Sequence, residues 1–213
     1  GFFAEDKTED EALVEMDSKL DEITFNCGAS DSVIYLSGSN NFRKKIYPAY
    51  KANRKQEKPK HFQALRNYLI KVEQAEVAEG QEADDALGIA QSDTTIICSL
   101  DKDLLMVEGW HYNWRRDETV EITKEEGLRN FYRQLLTGDT VDNVPGIHGI
   151  GPKKANDLLA GCFFEDEYNK VVLAAYRDYF PHCSEAEVIN HINIIGRLLY
   201  IRRKEGEEWR FDI

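Results

Sequence analysis

No stretch of this sequence stays apolar for long. None approaches the roughly 20 consecutive residues that cross a bilayer, so a helical membrane span is not expected. The opening Gly1-Phe2-Phe3-Ala4 is too short for a secretory leader and runs at once into Glu5 and Asp6. Cysteine is sparse and scattered at Cys27, Cys98, Cys162 and Cys183. No C-x-x-C spacing occurs, so neither a zinc site nor a disulfide framework is indicated. Cys98 lies in an apolar run and reads as a buried thiol, and a reducing, cytoplasmic setting is expected. Internal repeats and low-complexity segments are also absent. Positive charge is short overall: 27 Lys and Arg stand against 39 Asp and Glu, a net charge of −12. Taken whole, that balance argues against a polyanionic partner.

The distribution of charge reverses the argument. Residues 1–22 carry nine acids, read as a solvated helix face. Residues 43–60 carry eight basic side chains (Arg43, Lys44, Lys45, Lys51, Arg54, Lys55, Lys58 and Lys60) against the single acid Glu57. Local charge sets where a polyanion docks, although such a run also suits a solvated surface segment. With 213 residues, 42% hydrophobic and 11% aromatic, the chain can bury a full core, as one domain or one domain with a small subdomain.

Hydrophobic spacing predicts a helix over 8–26 with Leu13, Met16 and Leu20 on one face, and another marked by Phe62, Leu65, Leu69 and Val72. Val33-Ile34-Tyr35-Leu36 reads as a short buried strand, and a further strand is expected near 75–78. Residues 84–91 read as a helix, and the β-branched run Thr94–Cys98 as a buried strand. Tyr112 with Trp114, and Val120 with Ile122, suggest two more. Thr123-x-x-Glu126 is a capping box opening a helix to about Thr137. Pro152 and Gly161 bracket another helix. Ser184-x-x-Glu187 opens a last one through Leu198 and Leu199. Strands alternating with helices imply an α/β fold with a largely parallel sheet, and from about residue 123 the chain reads as mostly helical.

Seven carboxylates fall in three short clusters: Glu82-Ala83-Asp84-Asp85, Asp101-Lys102-Asp103 and Asp139-Thr140-Val141-Asp142. Carboxylates repel one another, so gathering them serves cation binding, and hard oxygen donors suit Mg²⁺ or Mn²⁺. The third cluster runs into Gly146-Ile147-His148-Gly149-Ile150-Gly151-Pro152-Lys153-Lys154, a glycine-rich turn whose backbone N–H groups suit phosphate. Metal beside phosphate points to phosphodiester cleavage. Any one Asp pair alone would be read as a cap or a turn.

In order along the chain stand Phe42-Arg43 … Tyr50-Lys51-Ala52-Asn53-Arg54, Glu82-Ala83-Asp84-Asp85, Ser99-Leu100-Asp101-Lys102-Asp103 and Gly138-Asp139-Thr140-Val141-Asp142-Asn143-Val144-Pro145-Gly146. This set, over roughly residues 30–160, resembles the flap endonuclease/5′-nuclease superfamily, above all bacteriophage 5′→3′ exonucleases and the 5′-nuclease domain of bacterial DNA polymerase I. The resemblance implies a PIN-like α/β domain with a mostly parallel sheet over 1–122, including a basic gateway at 41–60. A helical part over 123–213 would follow, with a helix–three-turn–helix module at about 130–161. It also implies two divalent ions, Mg²⁺ or Mn²⁺. Glu82, Asp84, Asp85, Asp101 and Asp103 would serve the first, and Asp139 and Asp142 the second. Lys51 and Arg54 would contact the scissile phosphate as catalytic residues. DNA would be held by Arg43, by Tyr50 stacking on a terminal base or merely packing, and by Gly149, Gly151, Lys153 and Lys154. A K⁺ ion is implied at the hairpin. The implied partner is DNA with 5′ ends, flaps or single-strand/duplex junctions, handled by a monomer in the cytoplasm, host cytoplasm if phage-encoded.

Two departures bear on this expectation. The family begins with a strand bearing a metal-binding Asp, upstream of an acidic helix, and Gly1 falls after the place for it. The family also usually carries an Asp shortly before Phe-Arg, where this chain reads Leu36-Ser37-Gly38-Ser39-Asn40-Asn41. A structure-specific DNA-binding module with little catalysis is therefore a rival reading, and a PIN-like ribonuclease a third. The duplex-holding hairpin argues against the third.

Overall fold

A computed structural model describes residues 6–54 and 57–212. The reading of Gly1–Ala4 and that of Lys55 fall outside these residues. Thr8 opens helix α1 (Glu9–Asn26) through a capping box, its hydroxyl taking the N–H of Glu11 while the Glu11 carboxylate takes the N–H of Thr8. Helix α1 buries Ala12 and Met16 against Leu65 of α3 (Phe62–Lys71), a small core separate from the main one. Its acidic outer face remains in solvent.

Strand β1 (Tyr35–Asn41) leads into the short helix α2 (Phe42–Ile46), and β2 (Glu76–Gly80) pairs with β1 in parallel, Tyr35 opposite Glu76 and Ser37 opposite Ala78. The strand expected at 33–36 therefore starts later and runs on through polar residues. Val33 is exposed, and backbone pairing with β2 carries Ser37–Asn41 into the strand instead of hydrophobic burial. Helix α4 (Ala83–Ala90) follows β2. Strand β3 (Ile96–Cys98) is shorter than the apolar run predicts, because Thr95 is drawn into a turn by hydrogen bonds with Ser92. β3 pairs in parallel with β4 (Gly109–Asn113), which forms an antiparallel hairpin with β5 (Glu118–Ile122). Among the described residues the strands thus form two small sheets with parallel and antiparallel pairs.

Helix α5 (Lys124–Thr137) opens on the expected Thr123–Glu126 capping box. It is followed by α6 (Pro152–Leu158), α7 (Glu165–Tyr179) and α8 (Glu185–Leu199). Helix α7 has no expectation of its own in the sequence. It starts after Phe163-Phe164 with no Ser or Thr cap, and the Glu167 carboxylate reaches back to the backbone N–H groups of both phenylalanines. Its buried face, Tyr168, Val172 and Tyr176, packs on α5, where Tyr132 stacks on Tyr168 at 5.0 Å. The main core draws on β3, α5, α7, α8 and the closing segment with Ile201, Trp209 and Phe211. It therefore runs continuously across residue 122. Among the described residues no helix is long and apolar enough to cross a membrane.

Candidate functional site

Glu82 ends the β2 connection and stands at the N-cap of α4, which places Asp84 and Asp85 in the first helical turn. Asp101 follows β3 and caps the 3-10 turn Lys102–Met106 by accepting the N–H of Asp103 at 3.0 Å. Asp139 and Asp142 sit in a loop closed by paired backbone bonds, Asp139 N–H to Val144 O at 2.9 Å and Val144 N–H to Asp139 O at 2.7 Å. The loop folds this tightly because Gly138 and Gly146 cross at its base. Gly138 has φ +67, and a Cβ on Gly146 would lie 2.1 Å from the Thr137 carbonyl carbon. Local structure thus presents one acidic cluster from a helix start, one from a strand end and one from a pinned loop.

The three clusters meet. Burial, and then the charges of Asp101 and Glu82, push Asp84 up to about 6. Burial, and then the charges of Asp101 and Asp139, push Asp103 up to about 7. Gln134 of α5 donates to Asp103, while its own amide oxygen is buried without a partner among the described residues. The Tyr50 hydroxyl stands 2.7 Å from Glu82 and 3.0 Å from Asp142, with one proton to share between the two carboxylates, which joins the first cluster to the third. Desolvation and mutual repulsion disfavour the ionised forms in such a group. Hard divalent cations would relieve that cost, and an all-oxygen donor set fits them. Among the described residues, no group of three or more His, Cys, Asp or Glu is arranged to hold an ion between them.

Protein cations stand among these acids instead. Lys51 forms ion pairs with Glu82 and, at 3.3 Å, with Asp142, and Arg54 pairs with Asp142. The backbone beneath them is docked. Lys51 N–H donates to Asp142 O at 2.9 Å, Asn143 Nδ2 to Ala49 O at 2.7 Å, and Asn53 Nδ2 to Thr140 O at 3.0 Å. Lys51 and Asn143 both take left-handed backbone, φ 56 and 58. Residues 42–54 of the expected basic gateway at 41–60 are folded, with turns that hydrogen-bond to the 139–144 loop. Beside it runs a polar cleft lined by Ser37, Asn41, Lys44, Lys51, Arg54 and Glu82.

Three expected site residues, Asp85, Arg43 and Tyr50, meet a buried environment. Asp85 is fully buried, and Arg43 is only 2% exposed. Arg43 grips Asp85 with two nitrogens, at 2.5 and 2.8 Å, and donates also to the carbonyls of Leu198 and Tyr200. Asp85 further accepts the N–H groups of Glu82 (3.0 Å) and Arg202 (3.2 Å). Burial alone would raise the Asp85 pKa, but the Arg43 guanidinium outweighs it and holds the carboxyl below its usual range. Four contacts fill its lone pairs, so in this arrangement Asp85 has none free for an ion. Nor is Arg43 free for a phosphate. The pair instead ties α2, α4 and the 198–202 segment together. Tyr50 is likewise 3% exposed, a core residue whose hydroxyl orients two acids and whose ring is not offered to a base.

On the hairpin, Ile147 and Ile150 are buried and turn the opposite face outward. Gly149 (φ +81), Gly151, Lys153 and Lys154 are exposed, with nothing within 4 Å of a Cβ at either glycine. Sequence reasoning did not single out Gln134, Asn143 or Arg202. Asn143 stands inside the Gly138–Gly146 motif with no role assigned to it there, and each of the three acts through a contact more than 25 residues away in the chain.

No protein-family model matches the chain. DNA polymerase I of Rhizobium leguminosarum is 34% identical over 148 residues, covering 60% of this chain and 14% of the polymerase. Flap endonuclease Xni of Shewanella sp. strain MR-4 is 28% identical over 171 residues, covering 68% of this chain and 66% of the endonuclease. The chain thus spans only part of the length of either relative. Among solved structures, T5 5′-exonuclease with divalent metal ions (zinc) bound superposes with a TM-score of 0.64 at 18% identity, over 92% of this chain and 79% of that one. Bacteriophage T5 D15 flap endonuclease, in a pseudo-enzyme-product complex with DNA and metal ions, gives 0.63 at 16% identity, over 93% and 81%. At such identities the structural likeness is one of fold.

Proposed function

We propose that this chain, which is related in sequence and in fold to the flap endonuclease/5′-nuclease superfamily, hydrolyses DNA phosphodiesters at 5′ ends or flaps in a divalent-metal-dependent reaction. One observation carries the reading: three acidic clusters from distant parts of the chain meet beside Lys51 and Arg54. Glu82, Asp84, Asp101, Asp103, Asp139 and Asp142 are assigned to two ions, Mg²⁺ or Mn²⁺. Bound there, the ions would supply water activation and charge neutralisation at the leaving oxygen. Lys51 and Arg54 hold the scissile phosphate, the lysine as a point charge and the arginine as a planar fork. Asp85 and Arg43 keep the first turn of α4 in place. Gly149, Gly151, Lys153 and Lys154 take the duplex backbone without regard to sequence, and a K⁺ ion is assigned to the same turn. The protein acts as a monomer in the cytoplasm.

A second reading, a structure-specific DNA-binding module with weak catalysis, draws on Leu36–Asn41, which brings no carboxylate to the cleft. Release of nucleotides from a 5′-labelled flap duplex in Mn²⁺ or Mg²⁺, abolished by EDTA, is the outcome expected of a nuclease. Tight flap binding with no release in either metal would favour the module.

A further inference from the structure

We propose that Lys51 and Arg54 serve as stand-in cations for the metal-free site, and that divalent ions must displace them, releasing both side chains toward substrate phosphate. The inference rests on the metal-dependent reading above and adds an order of events to it. Its basis is the ion-pair geometry. The Lys51 ammonium sits between Glu82 of the first cluster and Asp142 of the third, and Arg54 takes the other oxygen of Asp142. These carboxylates are among those assigned to metal. A carboxylate oxygen held by an ammonium has less capacity left for an ion, so the two ligands compete.

The exchange needs little backbone movement. The turn carrying Lys51 is fastened to the 139–144 loop by hydrogen bonds that use no charged side chain: Lys51 N–H to Asp142 O, Asn143 to Ala49 O and Asn53 to Thr140 O. When an ion takes Glu82 or Asp142, this tether keeps the displaced Lys51 and Arg54 beside the site. They then border the cleft lined by Ser37, Asn41 and Lys44, with their charges unpaired. A phosphate entering the cleft would find those cations available only where metal is already bound. The device thus disfavours substrate engagement by a metal-free site. It also keeps the acids compensated before metal arrives.

Isothermal titration of the metal-free protein with Mn²⁺ tests the exchange. Lys51→Met should bind Mn²⁺ at least fivefold more tightly than wild type, and Lys51→Met/Arg54→Met more tightly still. Lys44→Met removes a cation of the same cleft that pairs with none of these acids, and should change affinity by less than twofold. Thermal stability supplies a second readout. The Lys51→Met melting temperature should fall below wild type in EDTA and match it in saturating Mn²⁺. Equal or weaker Mn²⁺ binding by Lys51→Met overturns the exchange. So does an equal gain in Lys44→Met, which would reduce the effect to net charge. If wild type itself takes up no Mn²⁺ by heat or by stabilisation, the metal-dependent reading fails and the exchange falls with it.

Discussion

Burial and the facing charges of Asp101 and Glu82 raise Asp84 to about 6, from an ordinary value of 3.8. A group whose folded pKa is raised stabilises the fold fully below its unfolded pKa, and that contribution is lost as pH rises through the folded one. For Asp84 the window runs from about pH 4 to about pH 6. In EDTA, Asp84→Asn should therefore melt several degrees above wild type at pH 7.5, since a rise from 3.8 to about 6 corresponds to about 3 kcal/mol and each 1 kcal/mol gives about 2–4 °C in a chain of this size. The difference should shrink to nothing at pH 4. Calorimetry across that range checks both the size and the sign. Arg43 and Asp85 behave oppositely, since each compensates the other in a dry setting. Arg43→Met leaves a buried carboxylate unpaired and should cost about 3–5 kcal/mol in urea unfolding. Arg43→Met/Asp85→Leu should recover most of that loss. A mild effect of the single change would mean that the pair is wetter than its burial indicates.

At the scale of elements, the acids and glycines in fixed order are legible in the sequence itself, because short-range chemistry specifies them. Capping boxes at Thr123 and Ser184 place α5 and α8 correctly. What escapes sequence reading is set by distant contacts. Strand β1 runs on through Ser37–Asn41 because β2 lies beside it, and α7 forms on a face completed by α5. The partners of Arg43 and Tyr50 are equally hidden: a buried arginine and a DNA-facing one look alike in sequence until Asp85 is found against it. The loop at 138–146 and the hairpin after it yield element-scale predictions. Gly146→Ala would drive a methyl into Thr137, so it should loosen the Asp139–Asp142 loop and lower metal affinity along with stability, both read by Mn²⁺ titration and thermal melting. Lys153→Ala should weaken duplex binding about equally across unrelated sequences. It should also make the slope of log K against log salt shallower by about 1, as fits one phosphate contact. An unchanged slope would move the duplex off the hairpin.

For the whole molecule, a net charge of −12 and the proposed nucleic-acid substrate are reconciled by segregation. Acids on α1 face solvent, acids at the site sit against Lys51 and Arg54, and exposed lysines flank the hairpin glycines. Composition alone points away from DNA, whereas the position of charge along the chain is compatible with the proposed reading. The converged acids are proposed to act through divalent metal on DNA. The direct measurement is nucleotide release from a 5′-labelled flap duplex in Mn²⁺, wild type beside Asp101→Ala, with flap affinity measured in parallel. Release by wild type is expected, with at least a hundredfold less from Asp101→Ala and flap binding within about threefold of wild type for that variant. Equal release by the two proteins would contradict the proposal.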